Sequence, residues 1–181
     1  MTGSAELPLL FLDVDGTLLP LAGARLPTTL DGWDDWERVT NPQLAKIDAG
    51  HGPRLLALPC ALVWATAWMH RANAVIGPLL GLPALSVAEL PEAPMTDAVG
   101  ELNWKTRALV EAAAGRTFVW VDDAITDVDR AWVSAHHAGQ ALLLAVDSGT
   151  GLTAADLAVV ADWLRHIGSY DGVLCEDSDA S

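Results

Sequence analysis

The stretch "PLLFLDVDGTLLP", Pro8 to Pro20, joins an apolar run to two acids and a glycine. Leu9 to Leu12 offer four consecutive apolar side chains, which suits a strand covered on both faces. Asp13 and Asp15 then emerge at its end, and Gly16 frees a sharp turn. A buried strand that finishes in paired carboxylates predicts a site at a sheet edge.

Three more short apolar runs follow the same plan: "CALVWAT" (60–66), "FVWVDD" (118–123) and "ALLLAVD" (141–147). Their unbroken hydrophobicity, with helix-like stretches between them, predicts a βαβα succession: a single Rossmann-like, doubly wound, mainly parallel α/β sheet with helices on both faces. Helices are expected over 42–49 after Asn41, about 70–80, 103–114 closed by Gly115, 126–137, and 153–167. The last opens on a capping-box pair, Thr153 and Asp156, and Gly168 marks its stop. Residues 20–42 show no clean period and predict a loop or hairpin flap over the strand ends. Three prolines make 81–101 a connector with one short strand near 84–87.

At 181 residues, one domain over 1–170 is expected, with an acidic, disordered tail over 171–181. Composition is 51% apolar, yet no run reaches the ~18 residues of a membrane helix, and no leader is legible. A soluble, cytoplasmic protein without membrane partners follows. Cys60 and Cys175 give neither a disulfide framework nor a zinc spacing. The net charge of −14, with only 10 Lys plus Arg, disfavours long nucleic acid. It suits a site that gathers a divalent cation, or simply keeps an apolar-rich domain in solution.

In such sheets ligands bind outside the carboxyl ends of the strands. Asp13, Asp15, Thr66, Asp122 and Asp123 all fall there, and Lys105 starts a helix that can reach the same rim. Carboxylates so close repel one another unless a cation lies among them, and Mg2+ is the natural choice because it takes a few carboxylates and also phosphate oxygens. The rim therefore reads as phosphoryl chemistry.

"DVDGTL" (13–18), the hydroxyl ending "LVWAT" (62–66), the lysine of "NWKTRALVEAA" (103–113) and "FVWVDDAITD" (118–127) resemble, in order, motifs I to IV of the haloacid dehalogenase-like (HAD) superfamily. More narrowly, "LVWATAWMHRAN", "NWKT", "WVDD" and the "GLT" of 151–153 resemble the small HAD domain of Swiss Army Knife RNA repair proteins. The double acid also resembles the phosphatase half of phage polynucleotide kinase-phosphatase. The resemblance implies a capless or minimally capped fold and a Mg2+-dependent phosphatase acting on a phosphomonoester. Asp13 would be the nucleophile that forms an aspartyl-phosphate, and Asp15 the general acid and then base. Thr66 would donate to a phosphoryl oxygen, and Lys105 would offset charge. Mg2+ would be held by Asp13, the Asp15 main-chain carbonyl and Asp123, with Asp122 or Asp127 outside or acting through water. An acid at Asp15 favours ester hydrolysis over dehalogenation.

Gly16, Thr17, Trp68, His70, Arg71 and Asp127 are candidate substrate contacts, although His70 and Arg71 serve equally as a helix start. Trp64 and Trp120 belong in strands. Trp33, Trp36, Trp68 and Trp104 flank the motifs, where they either line a mouth that stacks an aromatic leaving group or pack in the core. His51, His136, His137 and His166 show no ligand spacing and are expected at the surface. The substrate is a small molecule or a nucleic-acid end. The competing reading is a non-catalytic phosphate- or nucleotide-binding module beside a repair or regulatory partner; intact motif residues weigh against it.

Overall fold

The computed structural model describes residues 6–94 and 100–173, the stretch 168–173 by its backbone alone. Five strands, β1 (Leu9–Leu12), β2 (Ala61–Trp64), β3 (Ser86–Val87), β4 (Phe118–Asp122) and β5 (Ala141–Ala145), form one sheet in the order β3-β2-β1-β4-β5. Every pairing is parallel. The order steps outward from β1 in both directions, so helices must cross on both faces.

Alternation along the strands divides the core accordingly. Leu9 and Phe11 pack with Leu109, Ala113 and Val133 from α4 (Thr106–Ala113) and α5 (Asp127–His136). On the other face, Leu10 and Leu12 meet side chains of α2 (His51–Leu56), α3 (Arg71–Leu80) and α6 (Ala154–Val173). Trp64 and Trp120 are fully buried, as strand tryptophans should be. None of the described helices is long and apolar enough to cross a membrane.

Because all strands run the same way, their carboxyl ends share one edge. Leu12 is level with Trp64 and Val121, and the ladder continues as the Asp13 N–H donates to the Val121 carbonyl at 3.2 Å. Register alone therefore sets Asp13 between the ends of β2 and β4. The apolar run 9–14 stops pairing as a strand at Leu12, since the chain turns at once: Thr17 and Leu19 N–H both donate to the Val14 carbonyl.

Several expected boundaries shift. The helix expected over 42–49 is a 3-10 turn, Pro42–Lys46, with Asn41 accepting from the Gln43 N–H as its cap. Helix α2 lies where the sequence reading places no element; Gly52 and Pro53 fall in its first turn, where a missing proline N–H costs nothing. Similarly, α1 (Leu30–Trp36) occupies the flap, with Thr29 accepting from the Gly32 N–H. Capping of α6 by Thr153 and Asp156 is as expected, but the helix runs through Gly168 to Val173. One interior glycine costs only about 1 kcal/mol relative to alanine, and it does not stop a helix already propagating. The expected tail is thus helical over 171–173; residues 174–181, and 95–99 of the connector, lie outside the described residues. His51 is buried, not at the surface as expected.

Gly52 explains how α2 and α3 approach. A Cβ there would lie 1.6 Å from the Leu80 carbonyl oxygen, so any side chain must push the helices apart. We expect Gly52→Ala to destabilise the fold by roughly 2 kcal/mol, the usual cost of overpacking, read from the midpoint of urea unfolding.

Candidate functional site

Gly16 follows the β1 acids with φ +74°, and a Cβ there would lie 2.1 Å from Asp123 Oδ2. Both the left-handed backbone and the closeness of the Asp123 carboxylate therefore require glycine. Thr17 donates from Oγ1 to Asp13 Oδ2 at 3.2 Å, so the turn also steadies the acid before it.

Lys105 comes from the opposite side. It is the N-cap of α4, and its N–H donates to Asn103 Oδ1. The loop is tied down by Asp129, a fully buried carboxylate on α5. Asp129 Oδ1 accepts from the Asn103 N–H and the Thr106 hydroxyl, while Oδ2 accepts from the Thr126 N–H and hydroxyl. So anchored, Lys105 Nζ lies 2.6 Å from Asp13 Oδ1 and 2.6 Å from Asp122 Oδ2.

The two motif IV acids differ. Asp122 is the better supplied with donors: Oδ2 also accepts from Trp120 Nε1, and Oδ1 accepts from the Ala124 N–H. Among the described residues, Asp123 draws only on its own backbone N–H. Carboxylate oxygens of Asp13, Asp122 and Asp123 lie within 4.8 Å of one another. Burial, Asp122 and Asp15 together push the Asp123 carboxyl up to about 7, against the pull of Lys105. Burial likewise raises Asp13 well above the usual carboxylate range, with Lys105 opposing and the neighbouring acids adding to it. Burial disfavours the Lys105 charge, but Asp122 and Asp13 outweigh this and hold its pKa above the ordinary value. Among the described residues, four carboxylates, Asp15 included, face one ammonium.

Asp15 is raised by burial and held back by two hydrogen bonds. Trp36 Nε1 donates to its Oδ1 and Trp68 Nε1 to its Oδ2, each at 2.8 Å. Sequence patterning placed these rings at a mouth or in the core. Trp68 is 1% exposed, so its expected contact with substrate is not met: burial turns its polar edge to Asp15. Trp33 and Trp104 do line the cleft, an open space of about 130 Å³ shared with Asp13, Asp15, Lys105 and Asp123.

Thr66 is buried at the end of β2, and its Oγ1 accepts from the Trp68 N–H at 3.3 Å; Ala67, next to it, lines the cleft. His70 is exposed at the start of α3. Arg71 is exposed as well but turned to the flap, pairing with Glu37 at 2.9 Å and Asp34 at 3.5 Å. Asp127 departs from expectation: it is fully exposed at the first turn of α5 and pairs with Arg130, outside the acidic cluster. The chain had turned after Asp123, and the carboxylate that α5 buries is Asp129.

Asp129 was missed, although Thr126-x-x-Asp129 is a legible capping box. Its second set of partners, 23 and 26 residues back along the chain, leaves no local signal.

A native state that holds protons on buried acids binds them more tightly than the unfolded chain. Stability without added cation should therefore fall as pH rises from about 4 to about 7, the window between the ordinary carboxylate value and that of Asp123. Urea unfolding in EDTA should show this decline, and Asp123→Asn should lessen it.

A family model described as the HAD domain in Swiss Army Knife RNA repair proteins matches residues 9–157. No curated protein matches. Among solved structures, the HAD domain of the effector protein Lem4 from Legionella pneumophila is similar at 14% identity and a TM-score of 0.46, covering 90% of this chain and 94% of that one. An inactive mutant of the same domain gives 11% identity and 0.45, covering 91% and 98%.

Proposed function

The chain belongs to the family of HAD domains in Swiss Army Knife RNA repair proteins, and from that premise we propose that it is a Mg2+-dependent phosphatase that hydrolyses a phosphomonoester through Asp13. The observation that carries this reading is the shared contact of Lys105 with Asp13 and Asp122, beside Asp123, which has no side-chain partner among the described residues.

The donor set fits the ion. Asp123 lacks a side-chain partner among the described residues, and the surplus of buried carboxylate over ammonium suits a hard divalent cation with oxygen ligands. Asp13, Asp123 and the Asp15 main-chain carbonyl would hold it, with Asp122 engaged by Trp120 and the Ala124 N–H as well as by Lys105. When bound, Mg2+ supplies Lewis-acid stabilisation of phosphoryl charge and a fixed point for the phosphate.

The chain's own residues do the rest. Asp13 is held by Lys105 Nζ on Oδ1 and by Thr17 on Oδ2, so its carboxylate cannot swing away from the cleft. In attack, an Asp13 oxygen forms a bond to phosphorus as the ester oxygen leaves. Asp15 gives its proton to that leaving oxygen, and then takes one from the water that cleaves the aspartyl-phosphate. Lys105 remains charged and stabilises the charge that develops on the phosphoryl group. Thr66 keeps a hydroxyl proton for a phosphoryl oxygen, since its Oγ1 acts as acceptor toward Trp68.

The family description and the open cleft support a substrate that closes the site itself, such as a nucleotide or nucleic-acid end. The net charge argues against a long phosphate-tracking groove. Trp33 and Trp104 line this cleft, which supports an aromatic leaving group stacked there.

The wild-type protein should hydrolyse p-nitrophenyl phosphate with Mg2+ and stop in EDTA. Asp13→Asn should lose at least ~10³-fold in kcat/KM, as expected when a covalent nucleophile is removed. Full activity in that variant would remove Asp13 from its role.

A further inference from the structure

Asp15 is gripped from two directions. Trp68 stands in the β2–α3 connection and Trp36 ends α1 in the flap, 53 and 21 residues away in the chain, and each gives its indole N–H to a different oxygen of the same carboxyl group. Indole nitrogen donates and never accepts. One lone-pair direction on each oxygen is thereby occupied, which fixes the plane of the carboxyl group and leaves its remaining sites for a proton facing the cleft.

The flap half of this grip is itself fastened. Arg71, at the start of α3, pairs with Glu37 and Asp34, which bracket Trp36 on and just after α1. Asn41 adds a bond from Nδ2 to the Trp36 carbonyl at 2.7 Å. Helix α1 has no fully buried residue, and Trp36 is only partly buried against the core, so these polar ties share with that packing in holding Trp36 against Asp15.

We infer that Trp36 and Trp68 are positioning residues that aim the Asp15 carboxyl group at the leaving oxygen, and that the Arg71 tie to Glu37 and Asp34 keeps the flap half of the clamp in place. The inference rests on the reading of Asp15 as the proton donor. As the ester P–O bond breaks, the electron pair goes to the leaving oxygen, and the Asp15 proton follows it. A p-nitrophenolate leaves without that proton, whereas an alkoxide does not. A mis-aimed Asp15 therefore harms alkyl esters selectively.

The test compares kcat/KM for p-nitrophenyl phosphate and for an alkyl phosphate, glycerol phosphate, in wild type, Trp36→Phe and Arg71→Gln. Trp36→Phe should lose ~10-fold or more on the alkyl ester and less than ~3-fold on the aryl ester, a share of the ~10² to 10⁴ that general acid catalysis supplies. Arg71→Gln should show the same selectivity at smaller size. Equal losses on both esters, or no loss on either, would overturn the clamp. Indole N–H resonances give a readout independent of turnover: Asp15→Ala should shift those of Trp36 and Trp68 and leave that of Trp64, whose N–H goes to Asn73 Oδ1. If the wild type hydrolyses neither ester, the phosphatase reading falls and the clamp is decided by these resonances, with unmoved Trp36 and Trp68 signals overturning it.

Discussion

The Lys105 ammonium lies between carboxylates of two neighbouring strand ends, Asp13 after β1 and Asp122 closing β4, at 2.6 Å from each. All three groups are buried, and a buried charge without a partner is costly enough that neither strand end could keep its acid alone. Much of the surrounding structure holds this contact in place. The parallel register brings the two acids side by side, and Asp129 anchors the loop that delivers the lysine. Gly16 lets the chain turn away under the Asp123 carboxylate.

One ammonium does not balance the site. With Asp13 and Asp122 committed to Lys105, and Asp15 to two indoles, Asp123 is the acid with least support, and its carboxyl is pushed up to about 7. The site divides its acids by what donates to them. Cationic, indole and backbone donors give four residues of one chemical type separate surroundings.

The chain itself makes the fold legible. Four continuous apolar runs and the helices between them yield a parallel sheet because such runs are stable only when covered on both faces. Asp13, Asp15, Lys105 and Asp123 converge where strand-end reasoning puts them. Less legible are the short helices α1 and α2, which depend on caps and on proline in a first turn rather than on period. The Trp36 and Trp68 bonds to Asp15 arise only when distant segments fold together, and the pairing of Asp127 with solvent-side Arg130 depends on the helix phase after Thr126. Spacing alone offers Asp127 and Asp129 equally; burial separates them.

The acids around Lys105 form an incomplete charge set that a divalent cation would finish. Calorimetric titration of Mg2+ into the metal-free protein at pH 7.5 tests it most directly. Wild type should bind one ion per chain, Asp123→Asn should bind at least ~10-fold more weakly as expected for a lost carboxylate ligand, and Asp127→Asn should bind like wild type. Absence of Mg2+ binding, or binding untouched by Asp123→Asn, would contradict it.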